Sequence, residues 1–219
     1  MTWNVEQGLS IGYKRRPVAT VTEQILFEPG QITLLLGLNG QGKTTLMKTL
    51  AGLLPPLSGS VPRTRVLYLS DDVDFPGNLT PGEIIQCLDS RGKYRALGTE
   101  MLVGLEIENK KYSLLSKGNR QKARVIFAEI ISRARKVNFL GIDEPFAGLD
   151  FQARDYLVDR WLGNTNRERH LLVSMHPSEI PMAPSQILLV SKGKIWSVPP
   201  ATSWPEIRAL LQRPKLTPV

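Results

Sequence analysis

Residues Gly37–Thr44 read GLNGQGKT, and this stretch decides the fold of the chain. Glycines at this spacing allow several backbone N–H groups to point at one phosphate group. The Lys43 ammonium adds a positive charge for the same phosphate oxygens, and the Thr44 hydroxyl can bind Mg²⁺. The stretch therefore predicts a loop that binds the β- and γ-phosphates of a nucleoside triphosphate.

The segments on either side of this loop support the prediction. Ile32–Leu36 is an apolar run typical of a buried strand. Residues 45–51 have helical character, and Gly52 followed by Pro55 and Pro56 indicates where that helix ends. A strand, a glycine-rich loop and a helix in this order are the context that distinguishes a phosphate-binding loop from a chance match.

Composition limits the class of protein. A chain of 219 residues with 42% hydrophobic residues predicts one large α/β domain, or one with a small helical insertion, with a substantial core. The single cysteine, Cys87, excludes an intramolecular disulfide and fits a reducing compartment. The N-terminus lacks the pattern of a signal peptide, and no stretch approaches the ~18 apolar residues of a membrane span.

The chain is basic, with a formal net charge of +8 and a pI near 9.7. Such a surface suits nucleic acid, anionic lipid headgroups or an ATP-binding face, and it also fits a solvated basic surface without a partner. No basic motif interleaved with aromatic residues is present, so no nucleic-acid partner is expected. The basic clusters are Lys14–Arg16, residues 91–95, Lys110–Lys111 and Lys117–Arg124.

Hydrophobic patterns predict alternating strands and helices. A capping box at Thr80–Glu83 opens a helical stretch that reaches about residue 109, and an amphipathic helix follows at 119–135. Further strands are predicted around 4–10, 18–27, 31–36, 65–69, 137–142 and 171–174, with a hairpin at 187–198 and a short helix near 205–212. This order predicts an α/β phosphate-loop NTPase core, in which helices flank a mostly parallel sheet.

A second motif carries hydrolytic chemistry. Asn138–Ile142 is a predicted buried strand, and it ends in Asp143 and Glu144. Asp143 would hold Mg²⁺ through its water shell, and Glu144 would polarise the attacking water as a general base. Together with the phosphate loop, this pair predicts hydrolysis as well as binding.

A third motif, Leu115–Asn119, precedes the amphipathic helix. Ser116 and the N–H groups of Gly118 and Asn119 would lie at the helix N-terminus, which is a ready site for an anion. One chain already has a phosphate loop. We therefore expect this second site to cap the nucleotide held by another monomer.

In this order, the motifs resemble those of the nucleotide-binding subunit of an ATP-binding cassette (ABC) transporter, from about residue 3 to 198. Gly37–Thr44 resembles the Walker A loop, and Asn138–Glu144 resembles the Walker B strand with its catalytic glutamate. Leu115–Asn119 resembles the family signature, normally LSGGQ, and Ala147–Asp150 resembles the D-loop.

Single residues also match this family. His176 is similar to the switch histidine that contacts the γ-phosphate, and Tyr13 to the aromatic residue that stacks on adenine. His170 matches no motif and is expected on the surface. The resemblance implies catalytic roles for Glu144, His176 and Lys43, Mg²⁺ binding by Thr44, Asp143 and Asp71, and ATP binding by Tyr13, Gly37, Asn39, Gly40, Gly42, Lys43, Thr44, Thr45, Ser116, Gly118 and Asp150.

Two departures from the family pattern stand out. Lys117 and Asn119 replace a glycine and the glutamine of the signature, while the serine and the second glycine remain. Asp71 stands where the glutamine of the Q-loop normally lies, at the position that joins the metal to the membrane partner.

The resemblance implies a domain organisation. Residues 1–198 would form the ABC ATPase domain, with an antiparallel β subdomain and a helical subdomain inserted at about 78–118. Residues 199–219 would form a proline-rich tail with a short helix.

The resemblance also implies partners and a location. Two cassettes, a homodimer or a cassette heterodimer, would close head to tail around ATP and pull on an integral membrane permease at the cytoplasmic face of the inner (plasma) membrane. The compact chain is similar to the ATPases of bacterial haem or antibiotic exporters, so we expect export. The alternative is a non-transport ABC ATPase that acts as a mechanotransmitting subunit on a membrane protein, and an adjacent gene with several hydrophobic spans would favour transport.

Overall fold

Strands and helices alternate along the chain, as the sequence pattern predicts. The computed structural model describes residues 2–70, 72–163, 169–177 and 182–212. The strands in these ranges are β1 Trp3–Val5, β2 Ser10–Tyr13, β3 Arg16–Val21, β4 Ile25–Phe27, β5 Ile32–Leu36, β6 Val66–Leu69, β7 Phe139–Ile142, β8 His170–Met175, β9 Gln186–Ser191 and β10 Lys194–Val198. The α-helices are α1 Lys43–Leu50, α2 Pro81–Leu88, α3 Arg95–Gly104, α4 Lys117–Ala134, α5 Phe151–Gly163 and α6 Trp204–Leu211.

An eight-stranded sheet forms the centre of the fold, in the order β2-β3-β10-β9-β5-β8-β7-β6. The run from β9 through β5, β8 and β7 to β6 is parallel, and the β9–β10 and β2–β3 pairs are antiparallel. β1 and β4 form a separate antiparallel pair. The α/β fold with a mostly parallel sheet and an antiparallel part is thus confirmed, and the carboxyl ends of the parallel strands meet at one edge.

Both faces of the sheet are buried, which explains the continuous apolar run of β5. Side chains alternate along a strand, so Leu34 and Leu36 face one core and Leu35 faces the other. Leu34 and Leu36 share their core with Ile126 of α4, and Leu35 shares its core with Leu46 of α1. Each of the three β5 leucines is 0% exposed. Burial of one such side chain contributes roughly 1.5–3 kcal/mol, so β5 is firmly held beneath the phosphate loop.

The helices α2 and α3 pack against α4 and against each other. The predicted capping box is confirmed: Glu83 N–H donates to Thr80 Oγ1 at 3.3 Å, and Thr80 N–H donates to Glu83 Oε2 at 2.7 Å. Ile84 and Ile85 of α2 and Met101 of α3 are buried in the same core as α4. This packing suits an inserted helical subdomain at about 78–118, whose bounds stay a prediction.

Several element boundaries differ from the sequence prediction. The helical stretch to about residue 109 is two helices, because the left-handed backbone of Gly92 (φ 68°) separates α2 from α3, and Glu106 (φ 53°) follows the end of α3. The segment 18–27 likewise contains the end of β3 and all of β4, with residues 22–24 between them. The strand predicted around 4–10 is wrong for its middle part, since β1 ends at Val5 and β2 begins at Ser10, and α5 is absent from the sequence prediction. The remaining boundaries shift by a few residues, which is the ordinary uncertainty of helix and strand ends.

Candidate active site

The phosphate loop lies between β5 and α1, as predicted. Gly42 caps α1 with a backbone φ of 111°, a conformation that residues other than glycine rarely adopt. A Cβ on Gly42 would lie 2.7 Å from Val18 Cγ1, and one on Gly37 would lie 2.6 Å from the Val190 carbonyl oxygen. At these two glycines the phosphate loop therefore packs closely against Val18 and Val190, and a side chain would block this packing. Asn39 and Gly40 are exposed at the tip of the loop.

Lys43 is buried at the base of this loop, with 5% of its side chain exposed. Its Nζ donates to the Gly37 carbonyl at 2.9 Å and lies 3.7 Å from Glu144 Oε1. The ammonium is thus held between the loop backbone and a carboxylate. A phosphate group that enters the loop would meet a cation already in place.

Asp143 lies directly after β7, and hydroxyl groups surround its carboxylate. Thr44 Oγ1 donates to Asp143 Oδ2 at 2.7 Å, and the Tyr68 hydroxyl donates to the same oxygen at 2.9 Å. Ser174 donates to the other oxygen, Oδ1. Thr44 and Asp143, which the sequence predicts to share a metal ion, are therefore in direct contact.

Glu144 adopts a left-handed backbone with φ 45°, an uncommon conformation for a residue with a side chain. Its N–H donates to Ser174 Oγ at 3.0 Å, and its carbonyl accepts from Gln121 Nε2 at 3.3 Å. The carboxylate is 45% exposed and can therefore reach water. Glu144 and His176 line one small cavity of about 90 Å³ at the ends of β7 and β8.

Tyr13 ends β2 and is 45% exposed. Its hydroxyl lies 3.4 Å from Thr45 Oγ1, on the first turn of α1. An exposed aromatic ring beside the phosphate loop is the placement that the sequence predicts for a residue stacking on adenine.

The signature residues lie at the N-terminus of α4. The Ser116 hydroxyl caps this helix by accepting from Asn119 N–H at 3.1 Å. Ser116 is exposed, and a Cβ on Gly118 would lie 3.3 Å from the Gly148 carbonyl of the D-loop. The signature and the D-loop of one chain thus lie side by side.

Asp150 joins the D-loop to the signature helix. It accepts from Ala153 N–H at 2.8 Å and forms a 2.9 Å ion pair with Lys122 of α4. The backbone hydrogen bond from Ala153 and then the contacts with Lys122 hold the pKa of the Asp150 carboxyl below its usual range. Asp150 stays charged, and α4 and the start of α5 are tied together.

Asp71, the predicted replacement for the Q-loop glutamine, lies outside the described residues. Its neighbours are placed: Ser70 is buried, and its Oγ accepts from Asp72 N–H at 3.2 Å. Arg124 of α4 donates to the Ser70 carbonyl. The loop that begins after β6 is therefore attached to the signature helix.

The prediction for His170 is wrong, because this side chain is buried and only 2% exposed. Its Nδ1 donates to the Glu28 carbonyl at 2.8 Å, and its Nε2 lies 2.9 Å from Thr33 Oγ1. The ring stacks on Phe139 at 5.4 Å. Burial lowers the His170 pKa to about 4, although the hydrogen bond to Glu28 opposes this shift. Nothing in the local sequence indicates this burial, since it arises from the pairing of β8 with β5 and β7.

Two site residues, Tyr68 and Ser174, are absent from the sequence prediction. Neither belongs to a local motif, and each reaches Asp143 from a strand next to β7. The available signal is positional: each lies close to the carboxyl end of a predicted strand, where side chains of neighbouring parallel strands converge.

A phosphate loop facing a strand that ends in two carboxylates defines the chain as a P-loop nucleoside triphosphatase. The sequence model of the ABC transporter family matches residues 24–147, and the chain belongs to that family. Members of this family are ATPases, and the chain is an ATP-binding subunit of an ABC transporter. None of the helices within the described ranges has the length and hydropathy needed to cross a membrane.

Relatives in sequence are named as ATP-binding proteins. An uncharacterized ABC transporter ATP-binding protein of Methanocaldococcus jannaschii is 31% identical over 189 residues, which cover 80% of this chain and 70% of that protein. A zinc import ATP-binding protein of Pseudomonas fluorescens is 35% identical over 153 residues, which cover 67% of this chain and 56% of that protein. The chain thus spans little more than half the length of the zinc importer subunit.

Solved structures show the same fold. An ATP-binding subunit of an ABC transporter superimposes with a TM-score of 0.75 at 21% identity, covering 95% of this chain and 99% of that chain. A bacterial Atm1-family ABC exporter with ATP bound superimposes with a TM-score of 0.77 at 17% identity, covering 95% of this chain and 42% of that chain. At these identities the likeness concerns the fold alone.

Proposed function

We propose that the chain hydrolyses ATP in a head-to-tail dimer and thereby powers a separate membrane-spanning transport partner. The observation that carries this proposal is the contact of the phosphate loop with the acidic end of β7. Thr44 lies 2.7 Å from Asp143, and Lys43 lies 3.7 Å from Glu144. Four groups needed for phosphoryl chemistry therefore lie at one edge of the sheet.

The substrate would enter with its phosphates in the loop and its base on Tyr13. The backbone N–H groups of residues 39–45 would hold the phosphate oxygens, as in other glycine-rich loops at helix N-termini. Lys43 would exchange its contact with the Gly37 carbonyl for the β- and γ-phosphates. Thr45 would support both the phosphate end and the base end of ATP, since it lies on α1 and its Oγ1 is 3.4 Å from the Tyr13 hydroxyl.

The residues present suit Mg²⁺. The Thr44 hydroxyl and the Asp143 carboxylate are hard oxygen ligands, and phosphates and waters usually supply the remaining ligands of this ion. The described residues contain no group of three or more acidic, histidine or cysteine side chains that would hold a metal by themselves. When bound, Mg²⁺ would neutralise charge on the phosphate oxygens. Asp71 is proposed as a third ligand.

Hydrolysis needs a base and a group that orients the γ-phosphate. Glu144 would accept a proton from the attacking water, since its carboxylate is exposed and held beside Lys43. His176 would hydrogen-bond to the γ-phosphate from the same cavity. Water oxygen would then bond to phosphorus as the bond from phosphorus to the bridging oxygen of ADP breaks.

A second copy of the chain would complete each site. Ser116 and Gly118 are accessible at the N-terminus of an 18-residue helix, where an anion is favoured. In a head-to-tail dimer they would face the γ-phosphate held by the partner, with Asp150 of the D-loop beside them. A homodimer would have two such sites, and a different cassette could take the place of one copy.

The transport partner would be an integral membrane permease, and the chain would then lie at the cytoplasmic face of the inner membrane. The expected direction of transport, export, is not part of the proposed function. Sequence relatives are named as a zinc import ATP-binding protein of Pseudomonas fluorescens and a manganese transport ATP-binding protein of Synechocystis, which does not support export.

The test is co-purification. The tagged chain, co-expressed with a neighbouring gene that encodes several hydrophobic spans, should extract from membranes as a complex whose ATPase activity changes on reconstitution. A chain that hydrolyses ATP and binds no membrane protein from its own operon would contradict the transport role. A chain that fails to bind ATP would contradict the whole proposal.

A further inference from the structure

Two strands and the phosphate loop bring hydroxyl groups to one carboxylate. β6 and β8 are the two neighbours of β7, and Asp143 follows β7 directly. Tyr68 comes from β6 and Ser174 from β8, so the carboxylate is contacted from both sides. Thr44 contacts it from the phosphate loop. The roles assigned above do not include the two flanking hydroxyls.

The register of β6 against β7 explains how Tyr68 reaches Asp143. Tyr68 pairs with Gly141 in the register of β6 and β7, two residues before Asp143. A Cβ on Gly141 would lie 3.7 Å from Tyr68 Cδ2 and 3.1 Å from Met47 Cε. The Tyr68 ring thus lies beside Gly141 at an ordinary van der Waals distance, and it extends along β7 until its hydroxyl lies 2.9 Å from Asp143 Oδ2.

Ser174 connects both acidic residues. Its side chain is fully buried, its hydroxyl donates to Asp143 Oδ1, and the same oxygen accepts from Glu144 N–H at 3.0 Å. Glu144 has the left-handed φ of 45° and needs support in that conformation. A serine hydroxyl can donate and accept at once, which an aliphatic side chain of similar size cannot do.

We propose that Tyr68 and Ser174 are positioning residues that hold the metal-binding carboxylate and the catalytic base in their working orientation. Tyr68 fixes Oδ2, the oxygen that also faces Thr44. Ser174 fixes Oδ1 and the backbone of Glu144. This inference rests on the proposed roles of Asp143 and Glu144, and it extends the site to the strands on either side of β7.

The two residues have separable effects. Tyr68→Phe removes one hydroxyl and keeps the ring beside Gly141, so the hydrogen bond to Asp143 is lost while the packing of the ring is kept. Ser174→Ala removes the donor to Asp143 and the acceptor for Glu144 N–H. A hydrogen bond to a charged group corresponds to roughly a tenfold or greater change in an equilibrium constant.

The readout is the affinity for a fluorescent ATP analogue, measured once with Mg²⁺ and once with EDTA. We expect Tyr68→Phe to leave the affinity in EDTA within about twofold of wild type and to lower the Mg²⁺-dependent gain roughly tenfold. Ser174→Ala should lose the same gain, and its ATPase rate at saturating Mg²⁺ should also fall because Glu144 is no longer held.

Matched controls are Tyr94→Phe and Ser132→Ala. The Tyr94 ring lies under the Lys93 ammonium at the start of α3, and the buried Ser132 hydroxyl donates to the Glu129 carbonyl at 2.8 Å. Each control substitution therefore removes a hydroxyl that lies outside the site. Both controls should keep the full Mg²⁺-dependent gain. Tyr68→Phe, which preserves packing, carries the test if Ser174→Ala loses thermal stability.

Two results would overturn the inference. Site variants that keep the same Mg²⁺-dependent gain as the controls would show that neither hydroxyl orients Asp143. Site variants that lose affinity equally with Mg²⁺ and with EDTA would show that the hydroxyls support the loop as a whole. A wild-type protein without any Mg²⁺-dependent gain would instead contradict the proposed function itself.

Discussion

Replacement of Glu144 by glutamine should separate nucleotide binding from hydrolysis. Glutamine has the same size and shape, and the side chain is 45% exposed, so the fold should tolerate the change. The amide cannot accept a proton from water at neutral pH. Positioned general bases accelerate reactions by roughly 10²–10⁴-fold, so we expect turnover to fall by that factor.

The same variant should bind ATP at least as well as wild type. Glu144 Oε1 lies 3.7 Å from Lys43 Nζ, and at this distance two charges screened by water attract each other by about 1 kcal/mol. Loss of this attraction frees the Lys43 ammonium for the phosphates. The expected gain in affinity is therefore at most about fivefold.

The assays are phosphate release, affinity for a fluorescent ATP analogue and gel filtration with ATP. Glu144→Gln should elute as a dimer in ATP, because slow hydrolysis prolongs the closed state. Glu108→Gln is the control, since Glu108 also forms an ion pair with a lysine, Lys110, at 2.7 Å and is exposed. Hydrolysis by Glu144→Gln at the wild-type rate would refute the assignment of the base, and the loss of ATP binding would refute the argument about Lys43.

Four further predictions concern the core, the loop and the metal. Arg169→Leu leaves the Glu129 carboxylate buried without its 2.6 Å partner and should cost about 3–5 kcal/mol of unfolding free energy in urea melts. Burial raises the pKa of Glu129, but the neighbouring arginines outweigh burial and hold the pKa below its usual range. The stabilisation by these arginines is therefore complete above the ordinary pKa of an unfolded glutamate and should be lost as the pH falls through the lowered pKa, as pH-dependent melts of wild type would show. Gly42→Ala should abolish binding of the ATP analogue, because alanine does not suit a backbone φ of 111°. The circular dichroism of this variant should be unchanged. Binding at wild-type affinity would contradict the assigned loop geometry. Asp71→Ala should lower Mg²⁺-dependent turnover and leave metal-free nucleotide binding unchanged or tighter, whereas superimposable Mg²⁺ titrations would show that Asp71 is no ligand.

The motifs that the sequence predicts are those whose chemistry lies within a few consecutive residues. Gly37–Thr44 carries its own backbone geometry, since glycine permits the turns and Lys43 and Thr44 follow at once. The capping box at Thr80 and Glu83 is equally local, and the structure contains it. Periodicity also located α4, because a helix packed on one side repeats its apolar residues every three or four positions.

Tertiary structure alone decides which of these segments meet. Asp143, Tyr68 and Ser174 lie on or next to three different strands, and a shift of one residue in register would turn Tyr68 to the other face of the sheet. His170 was expected on the surface and is buried, because β8 pairs with β5 and β7 and encloses its ring against Phe139. The sequence by itself determined the phosphate loop, the acidic pair and the helix that carries the signature. Strand pairing, which depends on contacts between residues far apart in the chain, determined the hydroxyl groups around Asp143 and the environment of His170.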